Sequence, residues 1–192
     1  MLAYVFWHVA RAGVAARDYE AAHREFHDVL WRSRVTGLLA LRVHRLESVP
    51  WLAAGQPGYE DWHLLEDSAA LDRLNEAAIT QARQLPHDRI AALAASGTAG
   101  LYGLRAGAWV DPAVACWLAK PTGMSYPDFD LSMKPFIERG CCLWGRRMTL
   151  GPTPEFCLHA PDASMPLPTA IAIRLKTVLR RGPDLAGQAT AG

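Results

Sequence analysis

Two short stretches, residues 3–9 (Ala-Tyr-Val-Phe-Trp-His-Val) and 113–119 (Ala-Val-Ala-Cys-Trp-Leu-Ala), are apolar on both faces of an extended chain. Successive side chains of a strand point to opposite sides, so Tyr4, Phe6 and His8 face one way and Val5, Trp7 and Val9 the other. A strand apolar on both sides belongs in the middle of a sheet that is covered on each face. The same succession of patterns follows each stretch, and this repetition limits the folds open to the chain.

After the first stretch, Asp18 opens a helix running to Arg34, with Tyr19, Ala22, Phe26, Val29, Leu30 and Ser33 on one side at 3.6-residue spacing. Gly37 is expected to stop it. Residues 38–46 read as a strand, with Leu39, Leu41 and Val43 on one face and Ala40, Arg42 and His44 on the other. Residues 50–58 hold two prolines and two glycines and form a loop, and 59–66 read as a third strand. Asp67 or Ser68 caps a second helix whose apolar face is Leu71, Leu74, Ala78, Ala82 and Leu85. Pro86 interrupts it, a shorter helical piece reaches Ala95, and 98–105 form a fourth strand weakened by Gly100 and Gly103. Strand, helix, strand, strand, helix, strand is the order of a ferredoxin-like unit.

The second half repeats the order. Residues 126–139 read as a helix with Pro127 in its first turn, an apolar set of Phe129, Met133, Phe136 and Ile137, and Gly140 closing it. Residues 142–150 and 155–159 read as strands, separated by Gly151-Pro-Thr-Pro154. Between Asp162 and Pro168 a second helix has no room. The final segment, 170–178, alternates Ile171, Ile173 and Leu175 with Ala172, Arg174 and Lys176, which favours a strand over a helix spanning 169–181. The expectation is therefore an α+β chain of two ferredoxin-like βαββαβ units in tandem, their antiparallel sheets packed as an intrachain α+β barrel. The first unit spans 1–107, the second and truncated one 108–181, and 182–192 form a flexible tail.

Composition narrows the function classes. Of 192 residues 51% are apolar, seven of them tryptophan, which excludes a chain too polar to bury a core. A net charge of +1 leaves no basic excess for a phosphate backbone, so nucleic acid is not an expected partner. No apolar run reaches the roughly 18 residues of a membrane span. The N-terminus lacks a basic leader region, so a cytoplasmic protein that does not engage membranes is expected. Cys116, Cys141, Cys142 and Cys157 contain no C-x-x-C pair and read as reduced, buried thiols.

The tandem order resembles the dimeric α+β barrel superfamily, in which two ferredoxin-like sheets pack face to face across a dimer or within one fused chain. Local similarity to EthD-like and antibiotic-biosynthesis-monooxygenase-like members lies in His23-Arg-Glu-Phe-His27, in Gly37-Leu38, and in Tyr59-Glu-Asp-Trp62 leading into Ala69-Ala-Leu-Asp-Arg-Leu74. The resemblance implies a pocket between sheet and helices. It also implies a range of activities that includes cofactor-independent oxygenases, isomerases, haem enzymes and proteins of no known activity. It assigns no catalytic residue.

Among the residues themselves, His23 and His27 are four apart on the first helix, with Trp31 continuing the row. Two such histidines can ligate one metal or hand a proton between them. The motif is not H-E-x-x-H, because the glutamate is Glu25, and no third ligand is identifiable, so no metal is assigned. His8 is either a hydrogen-bonded core histidine or a general base in an apolar pocket. Arg42 and His44 share a strand face, as Arg146 and Arg147 lie on the corresponding strand of the second half. An arginine there binds a substrate carboxylate or pairs with a neighbouring acid. Trp7, Trp62, Trp117 and Trp144 fill a core or line a ligand cavity.

The candidate catalytic set is therefore His8, His23 and His27, and the candidate substrate-binding set Trp31, Arg42, His44, Trp62, Trp117 and Trp144. No cofactor is expected, and an open sheet edge would allow a homodimer. Two functions remain open. One is a cofactor-independent oxygenase or isomerase acting on a small apolar organic molecule. The other is a non-catalytic small-molecule-binding or interaction protein.

Overall fold

The structure, a computed structural model, describes residues 1–47, 49–52, 57–147, 152–165 and 171–183. The chain is α+β and forms two compact units. The first is Met1–Ala99 with Lys176–Pro183, and the second is built on Gly100–Leu175.

The first unit contains β1 (Leu2–Ala10), α1 (Ala16–Arg32), β2 (Leu38–Leu46), β3 (Gly58–Leu65), α2 (Ser68–Ala78), α3 (Gln84–Leu93) and the first half of β4 (Ala94–Ala106). Its sheet order is β4-β1-β3-β2, the ferredoxin-like order, so the doubly apolar β1 is an inner strand. β1 and β2 both run antiparallel to β3. One face carries α1, α2 and α3 over a core that includes Tyr19, Phe26, Leu30, Tyr59, Leu74 and Ile90. Val5, Trp7, Trp62 and Leu64 are fully buried on the opposite face, as a strand without a polar side requires. Each large side chain withdrawn from water in this way contributes about 1.5–3 kcal/mol.

Local signals explain the boundaries. α1 ends earlier than expected, at Arg32, because Arg34 itself takes the left-handed conformation (φ 51°). Gly37, also left-handed (φ 85°), has a different use: a Cβ there would lie 2.6 Å from the Cβ of Ala70, so the glycine lets α2 approach the turn before β2. Asp67 caps α2 by accepting the Ala70 N–H at 2.8 Å. α2 stops at Ala78 and a 3₁₀ turn covers Gln81–Arg83. Leu85, expected on the apolar face, is 80% exposed, because α3 begins a new helix with its own direction. Pro86 lies in the first turn of α3, where its missing N–H has no intrahelical partner to lose.

The second unit holds β5 (Val114–Leu118), α4 (Tyr126–Ile137), β6 (Cys142–Arg146), β7 (Phe156–Ala160) and β8 (Ile171–Arg174). Its order, β8-β5-β7-β6 with the second half of β4 beside β6, repeats the ferredoxin-like arrangement. Ser125 caps α4, and Gly140 (φ 90°) closes it with the bonds Gly140 N–H to Ile137 O and Cys141 N–H to Phe136 O, a Schellman motif. No helix occurs among the described residues between β7 and β8. The expected last strand is two strands, β8 and β9 (Lys176–Arg181), divided at Leu175; β9 pairs with β2 in the first unit.

Residues 53–56 of the expected loop, 148–150 of the expected sixth strand, Gly151 of the turn, Ala170 and 184–192 of the expected tail lie outside the described residues. All four cysteines are buried, and none forms a disulfide among the described residues. No helix among the described residues is long and apolar enough to cross a membrane.

Gly37 and Gly13 separate two contributions, since both have a φ of 85° but nothing lies within 4 Å of a Cβ on Gly13. Gly13→Ala is expected to destabilise the fold by about 1–2 kcal/mol, the left-handed penalty alone. Gly37→Ala is expected to cost at least about 1 kcal/mol more through overpacking against Ala70. Urea unfolding of the two variants measures the difference, and equal losses would contradict the close approach.

Candidate active site

Antiparallel pairing sets Phe6 opposite Asp61, Tyr4 opposite His63 and His8 opposite Tyr59. These six residues share the face of the sheet that α1 crosses. Their neighbours Val5, Trp7, Glu60 and Trp62 take the other face. On α1, His23 and His27 lie one turn apart on the buried stripe with Tyr19, Ala22, Phe26 and Leu30. The helix thereby brings two imidazoles down onto the strand residues His8 and Asp61.

Asp61, 3% exposed, is the centre of the group. Its Oδ1 accepts a hydrogen bond from His8 Nε2 at 3.2 Å. In the neutral His8 ring Nδ1 then accepts from the Tyr19 hydroxyl at 2.7 Å. Asp61 Oδ2 faces His27 Nε2 at 3.5 Å and His23 Nδ1 at 3.6 Å. His27 Nδ1 lies 2.9 Å from the backbone carbonyl of His23, which can only accept. Nδ1 of His27 therefore carries the hydrogen, and Nε2 of the neutral ring presents a lone pair toward the site. Both nitrogens of His23 are buried without a hydrogen-bond partner. The rings form a column: His8 stacks on His23 at 4.5 Å, and His23 on His27 at 5.5 Å.

Burial controls the protonation of this group. It pushes His23 down to about 3 and His63 down to about 4, because a charged ring would lose its hydration. Burial opposes ionisation of Asp61 too, but His8, which faces the carboxylate and donates to its Oδ1, outweighs it and holds the carboxyl well below the usual carboxylate range. Burial, then the Asp61 charge, raises the Tyr19 phenol. Burial and the Glu20 carboxylate push Tyr59 up to about 12, with its hydroxyl donating to Glu20 Oε1 at 3.3 Å.

A cavity of about 660 Å³ opens beside the group. Phe6, Phe26, Leu30, Leu74 and Ile90 supply apolar walls, and Tyr19, His23, His27, Asp61 and His63 the polar end. That volume suits a small organic ligand, and apolar walls with few convergent polar groups are the usual composition of such a site. A haem would bring two propionates to a lining that, among the described residues, contains Asp61 and Asp72 and no arginine or lysine. The residues do not fit that group, and no step is derived through it.

Of the residues singled out from sequence, His23 and His27 border the cavity, and His8 is sealed directly behind them, bonded to Tyr19 and Asp61. Trp31 lies half-buried and away from the cavity lining. Arg42 is on the opposite face and donates to the carbonyls of Leu41, Arg181 and Pro183, fastening the end of β9. His44 Nδ1 lies 3.4 Å from Glu60 Oε1 there, and Trp7 Nε1 donates to Glu60 Oε2 at 3.2 Å. Trp62 is fully buried on the same face. In the second unit Trp117 packs edge-on to Tyr102 and Trp144 edge-on to Trp109. None of Trp31, Arg42, His44, Trp62, Trp117 and Trp144 borders the cavity.

Asp61, Tyr19 and His63 were not among the sequence candidates. The available signal was Glu60-Asp61, two consecutive acids inside a strand whose neighbours are apolar and aromatic, so that each face had to supply a partner for one charge.

No family model matches the chain, and no curated protein matches it. Solved structures do match. One, the crystal structure of a protein provisionally assigned as a chlorite dismutase, aligns over 93% of this chain and 96% of its own, with a TM-score of 0.46 and 10% identity.

The depressed histidines give stability a definite pH dependence. The unfolded chain protonates both rings near their ordinary value of about 6.5, while the folded chain keeps His23 neutral to about 3 and His63 to about 4. The unfolded state therefore binds more protons, and stability falls as pH drops below about 6.5. Asp61, lower in the folded state than in the unfolded, adds to the loss below about 4 in the same direction. The urea midpoint is expected to decrease between pH 7 and 5 while the ring carbon resonances of His23 and His63 keep neutral shifts. A His23 titration near 6.5 would contradict the burial argument.

Proposed function

We propose that the chain is an enzyme that takes a proton from a small, largely apolar organic molecule held in the cavity of the first unit. The observation that carries the reading is His27. The residue borders the cavity, its Nδ1 bond to the His23 carbonyl leaves the lone pair on Nε2, and Nε2 has an ionised carboxylate at 3.5 Å.

A base of this kind works by geometry and charge together. The substrate's apolar body packs on Phe26, Leu30 and Leu74, directing an acidic C–H toward the polar end. His27 Nε2 accepts the proton, and Asp61 stabilises the imidazolium that forms. Tyr19, whose hydroxyl is kept protonated, orients His8 and through it the Asp61 carboxylate. Proton removal from carbon is the shared first step of an isomerisation and of a cofactor-independent oxygenation, and the resemblance to EthD-like and monooxygenase-like members agrees with either outcome. The second reading is a binding protein without chemistry, since the apolar walls retain a ligand whether or not a proton moves.

Small cyclic ketones with acidic α-hydrogens, 1-indanone and 2-tetralone, test the two readings in D₂O. The enzyme reading expects ligand-induced shifts at Phe26 and Leu74 together with α-deuterium incorporation catalysed by the protein. His27→Gln and Asp61→Asn are each expected to slow that exchange about 100-fold or more without abolishing binding. Binding with no exchange supports the non-catalytic reading, and no binding at the cavity residues overturns both.

A further inference from the structure

We infer that His8, His23 and Asp61 form a binding site for one divalent transition-metal ion, with an open coordination position toward the cavity. Its use in catalysis rests on the proton-abstraction reading above; its binding is argued from geometry alone. One nitrogen of each ring and one carboxylate oxygen lie within 4.8 Å of one another, all from buried residues. His8 Nε2 is 3.2 Å from Oδ1 of Asp61 and His23 Nδ1 is 3.6 Å from Oδ2. Metal–nitrogen and metal–oxygen bonds of about 2.0–2.1 Å place neighbouring ligand atoms of a tetrahedral site about 3.3–3.4 Å apart. The two separations lie close to that edge but run to different oxygens of the carboxylate, so a grip through one oxygen asks Asp61 to turn as well, and the longer separation is beyond hydrogen-bond range. His8 and His23 stack with 10° between their planes, so binding asks each imidazole to turn about χ2, a soft torsion.

Three further observations point to a cation. Both nitrogens of His23 are buried and make no hydrogen bond, an unfavourable arrangement for a histidine that serves packing only. Among the described residues, the groups within ion-pair distance of Asp61 are the imidazoles of His8, His23 and His27, with no guanidinium or ammonium. The His27 Nε2 lone pair faces Asp61 Oδ2, acceptor against acceptor, and positive charge beside that carboxylate relieves the repulsion.

The donor set of two imidazoles and a carboxylate suits zinc or iron(II) over magnesium or calcium. Three protein ligands leave a position free, the feature of reactive rather than structural sites. Tyr19 supplies the outer contact: with His8 Nε2 on the ion, Nδ1 becomes the donor and the Tyr19 hydroxyl, which can play either role, accepts it. A substrate carbonyl oxygen at the open position would be polarised by the ion. As the adjacent C–H bond breaks, its proton passes to His27 Nε2 and its electron pair moves toward that oxygen.

The test is to strip the protein with a chelator, dialyse it, and titrate it with Co²⁺ as an optical probe and with Zn²⁺. One equivalent per chain is expected, with visible d–d bands from Co²⁺. His8→Gln, His23→Gln and Asp61→Asn are each expected to weaken binding about 100-fold and Tyr19→Phe about tenfold, with His87→Gln unchanged. Two-bond ¹H–¹⁵N spectra of the unsubstituted protein should show Zn²⁺ on His8 and His23, so the result does not depend on a variant folding. Absence of saturable binding, binding that survives His23→Gln or Asp61→Asn, or unperturbed His8 and His23 rings would each overturn the inference. His27-dependent deuterium exchange in chelator-treated protein that binds no metal would remove the ion and leave the acid–base reading intact. Metal bound as assigned with no exchange would do the reverse.

Discussion

An ionised carboxylate cannot rest in an apolar interior without compensation, and Asp61 is such a carboxylate. What surrounds it follows from that constraint. His8 donates to one oxygen, His23 and His27 close on the other, and Tyr19 fixes His8 from behind. Removing the charge would take the acceptor from His8 Nε2 and the facing group from His23 and His27, and removing the imidazoles would leave a charge with no partner. The cavity is polar at one end because this group is there, and elsewhere α1, α2 and α3 present mostly core residues, with Asp72, Asn75 and His87 among them.

The second unit is a natural comparison, since it has the same strand order with a single α-helix, α4, among its described residues where the first has α1, α2 and α3. Its helix-covered face is closed by Cys116, Phe129, Met133, Leu143, Phe156 and Leu158. Burial pushes Cys116 up to about 11, so that thiol stays neutral. Where α1 lowers His23 and His27 onto the sheet, α4 lowers Phe129 and Met133. One arrangement of strands thus serves as plain packing in one half and as a polar site in the other. The difference lies in a few side chains on the face under the first helix.

The element pattern was legible because it is local. The doubly apolar run of residues 3–9 and the helical spacing from Tyr19 to Leu30 survive in the structure as β1 and the buried face of α1. The prolines and the short interval before Pro168 left no room for a second helix in the second unit, and the described residues between β7 and β8 hold none, 166–170 lying outside them. Boundaries were less legible. Arg34 took a left-handed conformation that glycine was expected to take, and Leu85 turned outward because α3 does not continue the direction of α2. Arg42, plausible as a carboxylate ligand from its strand position, is occupied by carbonyls at the end of β9, a strand more than a hundred residues away in sequence.

By itself the sequence determined the α+β class, the order of elements, and the placing of His23 and His27 one turn apart, since these depend on periodicities within a dozen residues. Only the tertiary structure decided that Asp61 would be their partner. That pairing required β3 to lie against β1 with Phe6 opposite Asp61, and α1 to cross that face at the same level. A shift of one residue in that register would have sent Asp61 to the other side of the sheet and brought Glu60 beneath the helix. Register and helix docking are set by the packing of the whole unit, and no short stretch of chain encodes them.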